Sequence, residues 1–196
     1  MESSLRITVF CSSSAFLRPE YYELAETVGR QIAELGHVLV YGGTTVGMMN
    51  SLANGARNGG GKVIGVINQE FVRRSIADSN ADELVLVETL SERKEKLLKA
   101  GDVFVVLPGG LGSLDELFEV LSLGLLGLLP KKVVLLNWKG FYISLIDQLK
   151  LMIDERFVSV AMWECLVVVQ DVQGLISELC PLNRQDSIAE TSLKED

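Results

Sequence analysis

A chain of 196 residues with 48% hydrophobic content is long enough for one domain with a full core. Its formal net charge of −8 argues against general binding to nucleic acid or to acidic membranes, since both need a basic face. An anion site made of backbone N–H groups stays open, because it needs no net positive charge.

"LRITVFC" (5–11) reads as an apolar strand, and Ser12, Ser13 and Ser14 after it as a turn or cap. Pro19 suits the first turn of a helix, where its missing N–H costs nothing. Tyr21, Leu24, Ala25, Val28, Ile32 and Leu35 follow at helical spacing, with Gly36 at the C-terminal cap. "HVLVYGG" (37–43) is a strand ending in glycines; a helix over 47–57 puts Met48, Leu52 and Ala56 on one face, and "NGGG" (58–61) stops it. "KVIGVI" (62–67) is a strand, and the polar segment to Asp82 reads as loop or short helix. "ELVLVE" (83–88) is a strand, "LSERKEKLLKAG" (90–101) a short helix, and "DVFVVL" (102–107) a strand that enters a glycine turn and a further helix. "KKVVLLN" (131–137), a helix over 142–155, "CLVVVQD" (165–171) and a last helix complete the pattern. The tail, 183–196, has little to bury and is expected to stay disordered.

The strands are continuous apolar runs alternating with helices, as in a parallel sheet covered on both faces. The expectation is a single α/β domain over 1–182: a Rossmann-like, doubly wound parallel sheet of about seven strands with helices on both faces. The apolar tract 120–130 is about half the ~20 residues of a membrane span and reads as a buried helix or a subunit interface. Three widely spaced cysteines (Cys11, Cys165, Cys180) suit neither a disulfide framework nor a zinc site. No basic-then-apolar leader is present, so the expected location is the cytoplasm.

Ligands of doubly wound folds sit beyond the carboxyl ends of the strands. Three turns fall there: "CSSS" (11–14), "YGGTTVG" (41–47) and "PGGLGS" (108–113). The last has Gly109, Gly110 and Gly112 ahead of a helix, so its bare N–H groups suit a phosphate at the positive end of the helix dipole. It is neither a P-loop nor a dinucleotide fingerprint, and a small monophosphate fits best. Ser113, Leu114, Asp115 and Glu116 match a capping box, the favoured reading of the local pattern; capping does not exclude chemistry, since an ionised Glu116 there can stabilise a sugar cation or orient a water. "SERKEKLLK" (91–99) resembles an ordinary solvated face, yet Arg93 at a helix start opposes the dipole, so something else holds it. His37, the only histidine, stands at a strand start away from the mouth, which leaves no His-rich metal site or Ser-His-Asp triad. Cys11 reads as a small core residue.

Arg93-Lys94, followed after thirteen residues by "PGGLGSLDE" (108–116), resembles the paired RK and PGGxGTxxE motifs of the Lonely Guy family. Those proteins are cytokinin riboside 5′-monophosphate phosphoribohydrolases, also labelled lysine decarboxylase-like. "VFCSSS" (9–14), "LVYGGTTVGMM" (39–49), "GGGKVIGVI" (59–67) and "LLNWKGFYISLI" (135–146) are similar to further family segments, so the likeness covers most of the chain. The resemblance implies a homodimer or an assembly of dimers. It implies hydrolysis of the N-glycosidic bond of a nucleoside 5′-monophosphate, a cytokinin nucleotide or AMP, to free base and ribose 5-phosphate, with no metal or cofactor. The family's catalytic pair falls on Arg93 and Glu116. Its substrate contacts fall on Lys94, on Gly110, Leu111, Gly112, Ser113, Leu114 and Asp115, and on Ser122; Gly109, Ser13 and Gly43 join them from the converging turns. Departures are Ser113 for threonine, Ser12 and Thr44 for glycines, and Leu90-Ser91 for Met-His. Ser75 stands where plant members have a substrate-contacting glutamate, which leaves base preference open. A broad nucleotide nucleosidase and a molybdenum-cofactor carrier stay as alternatives.

Overall fold

Along β1 (Arg6–Phe10) the side chains divide between two cores, with Ile7 and Val9 in one and Phe10 in the other. The same division recurs through β2 (Val38–Tyr41), β3 (Val63–Asn68), β5 (Val103–Val106) and β6 (Val133–Leu136). A strand with both faces buried reads as an unbroken apolar run, which is why these segments carry no alternation. The structure, a computed structural model, describes residues 4–129 and 131–180, so the expected disordered tail lies outside the described residues.

With β4 (Glu83–Val87) and β7 (Leu166–Val169), the strands form one parallel sheet in the order β4-β3-β2-β1-β5-β6-β7. The chain runs outward from β1 to β4, then returns to the other side of β1 with β5. On one face pack α1 (Pro19–Glu34), α2 (Gly47–Asn58) and α8 (Val172–Leu179). On the other pack α4 (Leu90–Ala100), α5 (Leu111–Leu125), α6 (Ile143–Asp154) and α7 (Met162–Cys165). This is the expected doubly wound α/β fold. The reversal of order between β1 and β5 marks the switch point at which such sheets open a crevice.

The polar segment after β3 holds a short helix, α3 (Gln69–Arg73), started by the Asn68 side chain accepting from Glu70 N. Two short pieces carry no periodic signal: α7, and a 3₁₀ turn at Trp138–Gly140 with Lys139 at φ +52°.

The capping box expected at Ser113–Glu116 does not form. Helix α5 starts at Leu111 with Gly110 as its N-cap and no side-chain cap, so Ser113 is its third residue and Glu116 its sixth. Gly110 is extended, and Leu111 and Gly112 are already helical, which moves the start three residues earlier. A true capping box lies on α4, where Thr89 accepts from Glu92 N and the Glu92 carboxylate accepts from Thr89 N. The tract 120–130 is not a buried helix either: α5 ends at Leu125, and Leu126 and Leu128 are about 70% exposed. No helix among the described residues is long and apolar enough to cross a membrane.

Candidate active site

A cavity of about 390 Å³ opens at the switch point, where the three turns meet. Ser12, Ser13 and Ser14 line it after β1, Thr44 and Val46 after β2, and Gly110, Leu111, Gly112 and Ser113 after β5. The first hydrogen bond within α5 runs from Leu114 N to Gly110 O. The N–H groups of Leu111, Gly112 and Ser113 therefore precede it, at the positive end of the helix. Gly109 must be bare, because a Cβ there would lie 2.2 Å from Ser113 Oγ.

Arg93 turns inward from the first turns of α4. Its Nε donates to Val66 O and its Nη2 to Gly42 O, both at 3.0 Å, and Nη1 lies 3.5 Å from Glu116 Oε1. These contacts explain a cation at a helix start. The guanidinium is held by carbonyls at the carboxyl ends of β2 and β3, and a Cβ on Gly42 would stand 2.1 Å from Nη2. Arg93 and Glu116 are both buried, at 9% and 8% exposure, and both line the cavity.

Burial pushes the Glu116 carboxyl up to about 7; Arg93 pulls it down, while Asp115 and Glu119 add to the rise. Burial likewise lowers Arg93, against the pull of Glu116. The Cys11 thiol, in the cavity floor and the core, is pushed far up by burial and then by Glu116, so it is an inert thiol. His37 accepts from Leu5 N at the amino ends of the strands and takes no part.

The remaining expected residues lie around this centre. Gly43, with φ +72°, and Gly109 adjoin lining residues in the chain but do not themselves line the cavity. Lys94 is absent from the lining but reaches the same helix as Arg93: its Nζ lies 3.1 Å from Asp115 Oδ2 and 2.9 Å from Glu119 Oε2, and those contacts raise its pKa. Leu114, Asp115 and Ser122 line no part of the cavity, and Ser122 is exposed further along α5. Ser75 is exposed, with φ +58°. Four apolar lining residues escaped the sequence reading: Val46, Met49, Phe71 and Ile76. Phe71 and Ile76 were legible only as isolated apolar residues in a charged segment.

Fold and site together define an α/β protein with a bare glycine turn at a helix N-terminus and a buried arginine–carboxylate pair at the switch point of a doubly wound sheet. The chain belongs to the Lonely Guy family: a family model described as "possible lysine decarboxylase" matches residues 49–179, and relatives agree. A Mycobacterium tuberculosis protein named cytokinin riboside 5′-monophosphate phosphoribohydrolase is 39% identical over 175 residues, 89% of this chain and 93% of that protein. An Arabidopsis thaliana protein of the same activity is 36% identical over 174 residues, 89% and 80% of the two chains. The solved molybdenum cofactor carrier protein of Chlamydomonas reinhardtii shares the fold, with a TM-score of 0.68 at 23% identity over 95% of this chain and 99% of that one.

Proposed function

We propose that this protein is a cytoplasmic phosphoribohydrolase that hydrolyses the N-glycosidic bond of purine nucleoside 5′-monophosphates, cytokinin nucleotides and AMP among them. The observation that carries this reading is the Arg93–Glu116 pair, 3.5 Å apart and buried, in a cavity that also holds the glycine turn. The 5′-phosphate takes the N–H groups of residues 111–113 and the Ser113 hydroxyl. As the C1′–N bond breaks, its electron pair leaves with the base and positive charge develops on the ribose. Glu116 as carboxylate stabilises that charge and accepts a proton from the water whose oxygen bonds to C1′. A carboxyl with pKa about 7 also releases this proton readily, and the departing base nitrogen takes it up. Arg93 offsets the negative charge on the base before protonation. The products are free base and ribose 5-phosphate.

Lysine decarboxylation fits less well. A pyridoxal enzyme needs a lysine amine in its cavity, none of the lining residues is lysine, and Lys94 is engaged by Asp115 and Glu119. A homodimer is part of the proposal. Leu111, Phe118 and Leu125 recur every seven residues on α5 and remain exposed, and Leu126 and Leu128 extend the stripe.

The test is release of base from AMP, GMP, CMP, UMP and isopentenyladenosine monophosphate by the purified protein. Purine release, with Glu116→Gln and Arg93→Ala each slower by about 10²-fold or more, is expected. Equal turnover of all five would make it a broad nucleosidase, and no turnover with tight binding of a phosphorylated pterin would make it a carrier.

A further inference from the structure

The stretch from Gln69 to Ala77 contributes Phe71 and Ile76 to the cavity but contains no buried residue. Its internal hydrogen bonds, Arg74 N to Glu70 O, Ser75 N to Val72 O and Ile76 N to Phe71 O, only curl it on itself. Nor do the Arg73 and Arg74 ion pairs with Glu70 leave the stretch. Attachment to the rest of the protein comes at its ends. The N-terminal end is Asn68, the last residue of β3. At the C-terminal end, Thr44 and Ala77 form an isolated antiparallel bridge, and Thr45 N donates to Ile76 O at 2.8 Å.

Beneath that bridge lies Asp78, with a fully buried side chain. Its Oδ2 accepts from Tyr41 Oη at 2.6 Å and from Arg57 Nη1 at 2.8 Å, and its Oδ1 accepts from Asn80 N at 3.0 Å. Its own N–H donates to Gly43 O at 2.9 Å. Arg57 is in turn oriented by Asn54 Oδ1 at 2.8 Å. Burial by itself would raise the Asp78 carboxyl, but the Tyr41 hydroxyl, Arg57 and the Asn80 N–H hold it below the ordinary carboxylate value. One carboxylate thus ties the stretch to β2 through Tyr41 and to α2 through Arg57.

The place of this stretch follows from the strand order. The glycine turn leaves β5, and the stretch leaves β3; β1 and β2 lie between. Three strand spacings separate them, about 14 Å. A nucleotide with its phosphate in the glycine turn therefore extends its base toward Phe71 and Ile76, past Glu116 and Arg93.

We propose that Asp78 is a positioning residue: bound to Tyr41 and Arg57, it latches the 69–77 stretch so that Phe71 and Ile76 form a fixed wall against the nucleobase. The latch itself is a statement about the free protein. The role of the wall toward a base rests on the function proposed above.

The test uses the full chain with Asp78→Asn, and with Arg57→Ala as a second variant should the first fail to fold. Arg73 and Arg74 are exposed in the stretch, so trypsin cleavage there, identified by fragment mass, reports its release. Loss of a buried charge-assisted hydrogen bond should speed that cleavage about tenfold or more. It should weaken AMP binding and raise KM by a similar factor, with kcat little changed and affinity for ribose 5-phosphate, which lacks the base, unaltered. Unchanged cleavage in a folded variant overturns the latch. Equal weakening of AMP and ribose 5-phosphate overturns its restriction to the base wall. If the wild-type protein neither binds nor turns over AMP, the proposed function fails, while the proteolysis result still decides the latch.

Discussion

Glu116 and Arg93 are set apart by the cost of keeping them charged. Each loses hydration on burial, and their mutual attraction at 3.5 Å does not restore the carboxyl to its ordinary range, since Glu116 is pushed up to about 7. Two consequences follow. If the carboxylate is the working form, kcat/KM rises with pH to a plateau above about 7, and a pH–rate profile checks it. Stability runs the opposite way. The folded state keeps a proton between pH 4.5 and about 7 that the unfolded chain releases. This stabilisation is full below the lower value and is lost as pH rises through the upper one, by roughly 3 kcal/mol. Glu116→Gln should remove that pH dependence, so its melting temperature relative to wild type should be higher at pH 8 than at pH 5. A helix cap would show neither effect. The sequence pattern alone could not separate these readings, because Ser113–Glu116 and Thr89–Glu92 both spell a capping box and only the second forms one.

At the scale of elements, the start of α5 is held from beneath as well as shaped by its glycines. Tyr142 Oη donates to Leu107 O at 2.8 Å and accepts from Gly109 N, while Tyr142 N donates to Asn137 Oδ1 at 2.7 Å. The turn therefore has little freedom to absorb a side chain. Gly109→Ala would bring a Cβ within 2.5 Å of both Ser113 Oγ and Ser113 Cβ, displacing Ser113 from the proposed phosphate site. Affinity for ribose 5-phosphate, measured by calorimetry, should fall about tenfold, the scale of one hydrogen bond to a charged group. Strands and long helices were legible because burial on both faces and 3.6-residue spacing write themselves into composition. The short α3 was legible only as one of two readings of its segment, and α7 and the 3₁₀ turn not at all, since three to five residues carry no period.

For the whole molecule, the apolar stripe on α5 is the feature that a lone domain leaves unexplained. Leu126 and Leu128 at about 70% exposure, beside Phe118 and Leu125, form the sort of patch that marks an interface. The wild-type protein should sediment as a dimer, and Phe118→Glu should shift it to the monomer in the same experiment. Net charge of −8 does not oppose this, because the residues of the stripe are themselves uncharged.

The α/β class, the seven strands and the glycine turn were determined by the sequence itself, because each depends on neighbours within a few residues. Covered strands must be apolar, helix faces must repeat, and a tight turn into a helix must lack side chains. Arg93 and Glu116 were named together by the motif resemblance, but their buried contact, the burial of Asp78 beneath the 69–77 stretch and the place of Phe71 and Ile76 in the cavity wall were decided only in the tertiary structure. Those contacts join residues more than twenty apart in the chain or depend on which strand ends lie side by side. A parallel sheet with a reversed order sets that arrangement, and no local pattern of residues encodes it.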